Sequence, residues 1–326
     1  MDLDNIKNEL LSMADTGLKY GLNKAPNADI ELYVTQEKTV EVKFQGGAVN
    51  ARDSVLSGVG VRVFENKRKS FSCSSGYEIE NIKSAVDEAI KITEKISHTD
   101  ERYKQLAEPL SPANEGIIDP EVLLITSETL TKEGLLMVEG CKKVDNRLVS
   151  ISGERSIIAA AFAITNSQEI AAATRITANV GVVSVVAKEG NKQKTGFNFC
   201  VSRSKDLNID LRDIGIKSAN DALKLLKSKP MNSSEQISVV FEPMPAAMYL
   251  GTAFGSSTTG KAVTEGKSYF ADKIGDEIAI KKMTVFDDGT LPEGLATSAI
   301  DGEGIPSQKT PIVENSVLKS FINDSY

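Results

Sequence analysis

The strongest constraint on this chain is a pattern that occurs twice. The first copy reads Gly58-Val59-Gly60-Val61-Arg62-Val63, a turn at Asn66-Lys67, a strand ending at Cys73, then Ile82-Lys83-Ser84-Ala85 and Asp87. The second reads Val180-Gly181-Val182-Val183-Ser184-Val185, a turn at Asn191-Lys192, a strand ending at Cys200, then Ile216-Lys217-Ser218-Ala219 and Asp221. Strand, turn, strand and helix follow in the same order with the same punctuation. An internal duplication is expected, and with it two packed α+β halves.

The flanking periodicities extend each copy. Leu3, Ile6, Leu10, Ala14 and Leu18 recur at helical spacing, which predicts an amphipathic helix over the first twenty residues. Ile30-Leu32-Val34 and then Val40-Val42-Phe44 alternate as a half-buried hairpin ended by Gly46-Gly47. Ile82, Val86, Ala89, Thr93 and Ile96 mark a second helix. A polar, Pro-containing linker covers residues 97–112. Asp119-Pro120 then starts a helix expected to reach about Lys143, weakened by Gly134 and Gly140. Strands are expected over residues 156–165, 169–175, 180–188 and 196–202. A helix carrying Leu211, Ile214, Ser218, Ala222 and Leu225 follows.

From Glu235 onward the pattern changes. A strand over 237–241 is expected to lead into a short helix over 246–254, then short strands over 283–286, 311–314 and 317–322. The fold class is therefore α+β: duplicated halves with antiparallel sheets, followed by a β-rich C-terminal domain. The domains are read as 1–97, 113–228 and 229–326.

Charge and cysteine content narrow the chemistry. The net charge is −7, and the densest basic cluster, Lys67-Arg68-Lys69, falls on a turn, so direct nucleic-acid binding is not expected. Cys73, Cys141 and Cys200 lie far apart without a C-x-x-C, which suggests buried thiols in a reducing cytoplasm. The acidic start Met1-Asp2-Leu3-Asp4 is unlike a signal peptide, and no apolar run approaches the ~20 residues that span a bilayer.

Other motifs carry little. Gly255-Ser256-Ser257-Thr258-Thr259-Gly260-Lys261 matches G-x-x-x-x-G-K, but Ala262 stands where a phosphate-binding loop needs a hydroxyl, and no strand directly precedes it. It reads as a flexible loop. Asp287-Asp288 and Asp301-Gly302-Glu303 alternate with Gly and Pro as turn formers do. The single histidine, His98, sits among polar linker residues. One histidine cannot supply the two or three that catalytic zinc usually takes.

The residues from Val239 to Lys309 carry a resemblance. Val239-Val240-Phe241-Glu242-Pro243, the apolar run Ala246-Ala247-Met248-Tyr249-Leu250, Gly251-Thr252-Ala253-Phe254-Gly255-Ser256, Asp287-Asp288-Gly289-Thr290-Leu291-Pro292 and Asp301-Gly302-Glu303-Gly304-Ile305-Pro306-Ser307-Gln308 are similar to the C-terminal part of the TldD/PmbA family. Segments 48–64 and 183–203 extend the resemblance. That family includes metallopeptidases and a supposed modulator of DNA gyrase. Its TldD-like members carry His-Glu-x-x-x-His on the apolar helix and bind zinc there. In this chain the first His falls at Gly251, the Glu at Thr252 and the second His at Ser256.

The resemblance thus implies a PmbA/TldE-like subunit, inactive alone. It would need no cofactor, and zinc is expected only in a TldD-like partner. Peptide is the implied substrate, with Gly251, Thr252 and Ser256 as cleft residues. Self-association stays open; a membrane is not implied. The alternatives are a stand-alone hydrolase using Ser256 or Ser257 with Lys261 or Lys267, or a gyrase regulator acting through protein contacts. Family members continue past the equivalent of Tyr326, so a truncated chain or a shortened C-terminal domain is expected; the latter would leave a sheet edge to cover.

Overall fold

The computed structural model describes residues 2–96, 98–230 and 234–325. Helix α1, Leu3–Lys24, starts where the Asp2 side chain accepts hydrogen bonds from Asp4 N and Asn5 N. Strand β1, Asp29–Gln45, is a single strand, not the expected hairpin. The reason is phase: Ile30, Leu32, Val34, Val40, Val42 and Phe44 keep one parity, so no turn interrupts the alternation. The polar residues between them are held extended by pairing on both sides, as at Gln36, opposite Ser57 and Ala161.

Gly46 and Gly47, both at positive φ, turn the chain into β2, Ala48–Glu65. Asn66 (φ 51) and Lys67 (φ 60) then turn it into β3, Arg68–Ser75, the positive pair that a two-residue hairpin favours. Helix α2, Ile79–Lys95, completes the first copy.

In the second copy the expected long helix is broken. A 3₁₀ turn, Pro120–Leu124, is capped by Asp119, and a fresh helix α3, Ser127–Lys142, starts where Thr126 Oγ1 accepts from Thr129 N at 3.2 Å. Strands β4, Leu148–Asn166, and β5, Ala171–Glu189, follow. The two strands expected over 169–175 and 180–188 are one, because Ile176, Thr177, Ala178 and Asn179 pair without interruption with β4. The turn into β6, Lys192–Ser202, falls at Gly190 (φ 56) and Asn191, one residue earlier than expected. Helix α4, Leu211–Leu226, closes the copy.

The duplication is visible in register. Gly60 pairs with Cys73, and Gly181 pairs with Cys200. The halves join edge to edge through β1 and β4 into one six-stranded antiparallel sheet, ordered β3-β2-β1-β4-β5-β6. Helices α1 and α2 bury Leu10, Ala14, Ile82 and Val86 against Ile30, Leu32, Val34 and Val61. Helices α3 and α4 do the same for Val183, Val185 and Cys200, through Met137, Cys141 and Ile214. The odd-numbered β1 residues, Glu31, Tyr33 and Thr35 among them, alternate to the face away from these helices.

The C-terminal region covers one end of that open face. Ala299 and Ile300 bury against Ile164, Ile170 and Ala107, and Arg203 Nη1 donates to Leu295 O and Thr297 O. A small sheet of β7, Val285–Asp288, β8, Lys309–Glu314, and β9, Val317–Leu318, has its own core of Ile312, Val313 and Leu318. The strand expected over 237–241 does not form. No described strand pairs with it, and its apolar side chains face solvent, Val240 at 93% exposure. No described helix is long and apolar enough to cross a membrane.

The thiols divide by position. Cys73 is exposed, whereas Cys141 and Cys200 are buried. Burial pushes the Cys141 thiol up to about 11. Its proton is held more tightly in the folded chain, so its contribution to stability is full below the unfolded value near 9 and is lost as pH rises toward 11. The stability difference between the parent and Cys141→Ala is expected to shrink over that window by about 1.4 kcal/mol per pH unit, read from urea unfolding at each pH. At neutral pH, a chromogenic disulfide should titrate Cys73 and leave the buried pair untouched until the chain unfolds.

Candidate functional site

Helix α5, Pro243–Tyr249, begins with two prolines in its first turn, which lack the N–H groups that would be unsatisfied there anyway. It runs directly into a π-turn, Leu250–Gly255, and buries no residue. The π-turn explains a spacing. On an α-helix, positions five apart stand about 140° from one another. A π-turn closes i to i+5, so positions 251 and 256 come round to the same side.

Gly251, Thr252 and Ser256 are thus brought together on one exposed turn. A Cβ at Gly251 would meet nothing within 4 Å. Both hydroxyls are committed to the turn itself: Thr252 Oγ1 donates to Met248 O, and Ser256 Oγ donates to Thr252 O at 2.5 Å. The set therefore offers no imidazole, thiolate or carboxylate, and it does not fit a zinc ion. Among the described residues, no three His, Cys, Asp or Glu side chains gather as a metal site would require. His98 lies exposed beyond α2. Ser257 Oγ donates to Ala253 O, and Lys267 pairs with Glu265 at 2.7 Å, so these groups form no Ser–Lys pair.

Segment 255–261 is not a free loop. Thr259 bridges Ile322 in parallel fashion, Gly260 N donates to Ile322 O at 2.7 Å, and Thr259 Oγ1 accepts from Ala262 N at the start of α6, Gly260–Thr264. This stitching carries Lys261 to the rim of a cleft of about 690 Å³ between the open sheet face and the C-terminal region.

The cleft has a charged floor that the sequence did not announce. Glu31 on β1 and Arg62 on β2 are cross-strand partners, and Arg62 Nε donates to Glu31 Oε1 at 2.7 Å. Arg62 Nη2 reaches Glu303 Oε1 at 3.9 Å. The turn that delivers Glu303 is built by Asp301, whose Oδ1 accepts from Glu303 N at 2.8 Å and Ile305 N at 2.9 Å. Gly304 completes it at φ 79, where a Cβ would lie 2.6 Å from Ile170 Cγ2. Asp301 is thus a turn former as expected, while Glu303 serves the cleft. Asp288 is likewise a turn residue, accepting from Thr290 N and Oγ1. Burial pushes the Glu31 carboxyl up, Arg62 opposes this, and Glu303 and Asp301 add to it. The signal that could have revealed the pair was register: Glu31 and Arg62 each interrupt an apolar run at positions the hairpin places opposite one another.

Residues 30–93 match the family model described as PmbA/TldA metallopeptidase domain 1, and residues 234–326 match the PmbA/TldA metallopeptidase C-terminal domain. A metalloprotease of Methanocaldococcus jannaschii is 25% identical over 316 residues, covering 91% of this chain and 65% of the relative. The chain therefore spans about two thirds of that relative's length. Among solved structures, TldE from Thermococcus kodakarensis superposes with a TM-score of 0.84 at 20% identity, covering 96% of this chain and 70% of the other. A supposed modulator of DNA gyrase from Bacteroides thetaiotaomicron gives 0.80 at 18% identity, covering 95% and 71%. The family-model matches take in the first copy of the repeat and the turn that carries Gly251 and Ser256, and in these segments the chain is similar to the TldD/PmbA family of metallopeptidase-related proteins.

Proposed function

We propose that this chain is a PmbA/TldE-like, non-catalytic subunit of a cytoplasmic complex whose TldD-like partner holds zinc and cleaves peptides. The observation that carries the reading is the donor-free turn: Gly251, Thr252 and Ser256 stand where the resemblance puts His, Glu and His, with both hydroxyls turned back onto backbone carbonyls. Such a turn can wall a peptide cleft but cannot lower the pKa of a water molecule as bound zinc does. The apolar side chains beside it, Phe241, Met248, Tyr249 and Leu250, are exposed and suit burial against a partner. Zinc analysis of the purified chain is expected to return no stoichiometric metal, and the chain alone should cleave no unfolded peptide. Tightly held zinc together with proteolysis that a chelator stops would overturn the reading.

A further inference from the structure

The cleft above Glu31 is separate from the Gly251–Ser256 turn and has a chemistry of its own. Glu31 is 4% exposed, lines the cleft, and gives Oε1 to Arg62. Its other oxygen, Oε2, is buried with no hydrogen-bond partner. A buried acceptor left unmatched is costly, so an occupant that donates hydrogen bonds is favoured at this point. Four carboxylates line the cleft, Glu31, Asp301, Glu303 and Asp324, against two cations, Arg62 and Lys261. Tyr33 and Phe71 supply aromatic walls, and the Phe71 ring leans over Gly60, which has no side chain to hold it off. An excess of negative charge beside aromatic faces favours a cation. No metal-type cluster of three acidic side chains is present among the described residues, which favours an organic cation over a metal ion.

We propose that this cleft binds the cationic side chain of a peptide, arginine or lysine, with its N–H groups directed to Glu31 and Glu303 and its stem between Tyr33 and Phe71. The inference draws on the peptide-handling reading only for the source of the cation. It is tested on the chain alone, so its failure is distinct from the absence of a partner.

The probes are two blocked tripeptides, acetylated and amidated, of sequence Gly-Arg-Gly and Gly-Glu-Gly, titrated by calorimetry at low and high salt. The arginine peptide is expected to bind at least about tenfold more tightly than the glutamate peptide, with the difference reduced by salt. Glu31→Gln should weaken arginine-peptide binding, but it also disturbs the pairing of Arg62, so a second variant decides. Lys261 is exposed, and Lys261→Glu should fold normally and tighten binding of the arginine peptide by about fivefold. Equal affinities for the two peptides, or an affinity for the arginine peptide that Lys261→Glu leaves unchanged, would overturn the proposal.

Discussion

Replacing Glu133 by alanine is expected to lower the stability of the chain by about 3 kcal/mol. Arg155 on β4 is fully buried, and its guanidinium is held from three directions. Glu133 Oε2 on α3 accepts from Nε at 3.2 Å and also from Nη2; Asn179 Oδ1 accepts from Nη2 at 2.8 Å; Val180 O accepts from Nη1. Room for this side chain comes from Gly181, where a Cβ would lie 3.2 Å from Arg155 Cδ. Without Glu133 the charge stays buried with neutral acceptors alone. Breaking such a pair costs about 3–5 kcal/mol, and the partial exposure of Glu133 puts this case at the lower end. Replacing both partners, as in Glu133→Leu with Arg155→Met, should cost less than Glu133→Ala alone, because no unpaired charge remains. The midpoint of urea unfolding, at unchanged slope, measures each variant. Equal destabilisation by Glu133→Ala and an exposed control such as Glu128→Ala would contradict the account.

Gly215→Ala is the second large effect. Helices α3 and α4 cross so closely that a Cβ at Gly215 would sit 2.1 Å from Met137 O and 2.9 Å from Cys141 N. The atoms met are backbone, so relief requires the helices to part and the Met137–Ile214 core to loosen. A backbone clash at 2.1 Å belongs at the upper end of the about 1–3 kcal/mol that overpacking costs, above the ~1 kcal/mol that alanine gains over glycine in a helix. Gly251→Ala supplies the opposite sign, since a Cβ there meets nothing within 4 Å and the propensity gain of up to ~1 kcal/mol stands unopposed. Thermal unfolding of the two variants should therefore move in opposite directions.

These glycines show how far the sequence could be read. Gly134 and Gly140 look like weaknesses in a helix, yet at Gly140 a Cβ would lie 2.2 Å from Arg212 O, so the residue permits the α3–α4 crossing. Helix propensity is local, and the crossing is not. The repeat was legible because alternation and turn residues are local signals, and Asn66-Lys67 adopts the backbone expected of it. Strands β1 and β5 were misdivided because a polar stretch such as Thr35 to Thr39 resembles a turn until both neighbouring strands are known. The strand expected over 237–241 failed for the converse reason: apolar alternation marks a side chain seeking cover, and no described strand supplies it.

The candidate site divides in the same way. The absence of donors at Gly251, Thr252 and Ser256 is a fact of composition, so it could be stated from the sequence. The sharing of one side by positions 251 and 256 depends on the π-turn, which sequence periodicity does not signal. The Glu31–Arg62–Glu303 cleft joins residues far apart in the chain, and its third member arrives only through the turn at Asp301.

The role proposed for this chain is to lend a surface to a zinc-bearing relative. Size-exclusion chromatography of the purified chain mixed with a TldD-like subunit, with peptide cleavage assayed across the profile, tests it most directly. A single co-eluting peak is expected, with activity above that of the zinc-bearing subunit alone. Two separate peaks, with cleavage by the partner unchanged in the presence of this chain, would contradict it.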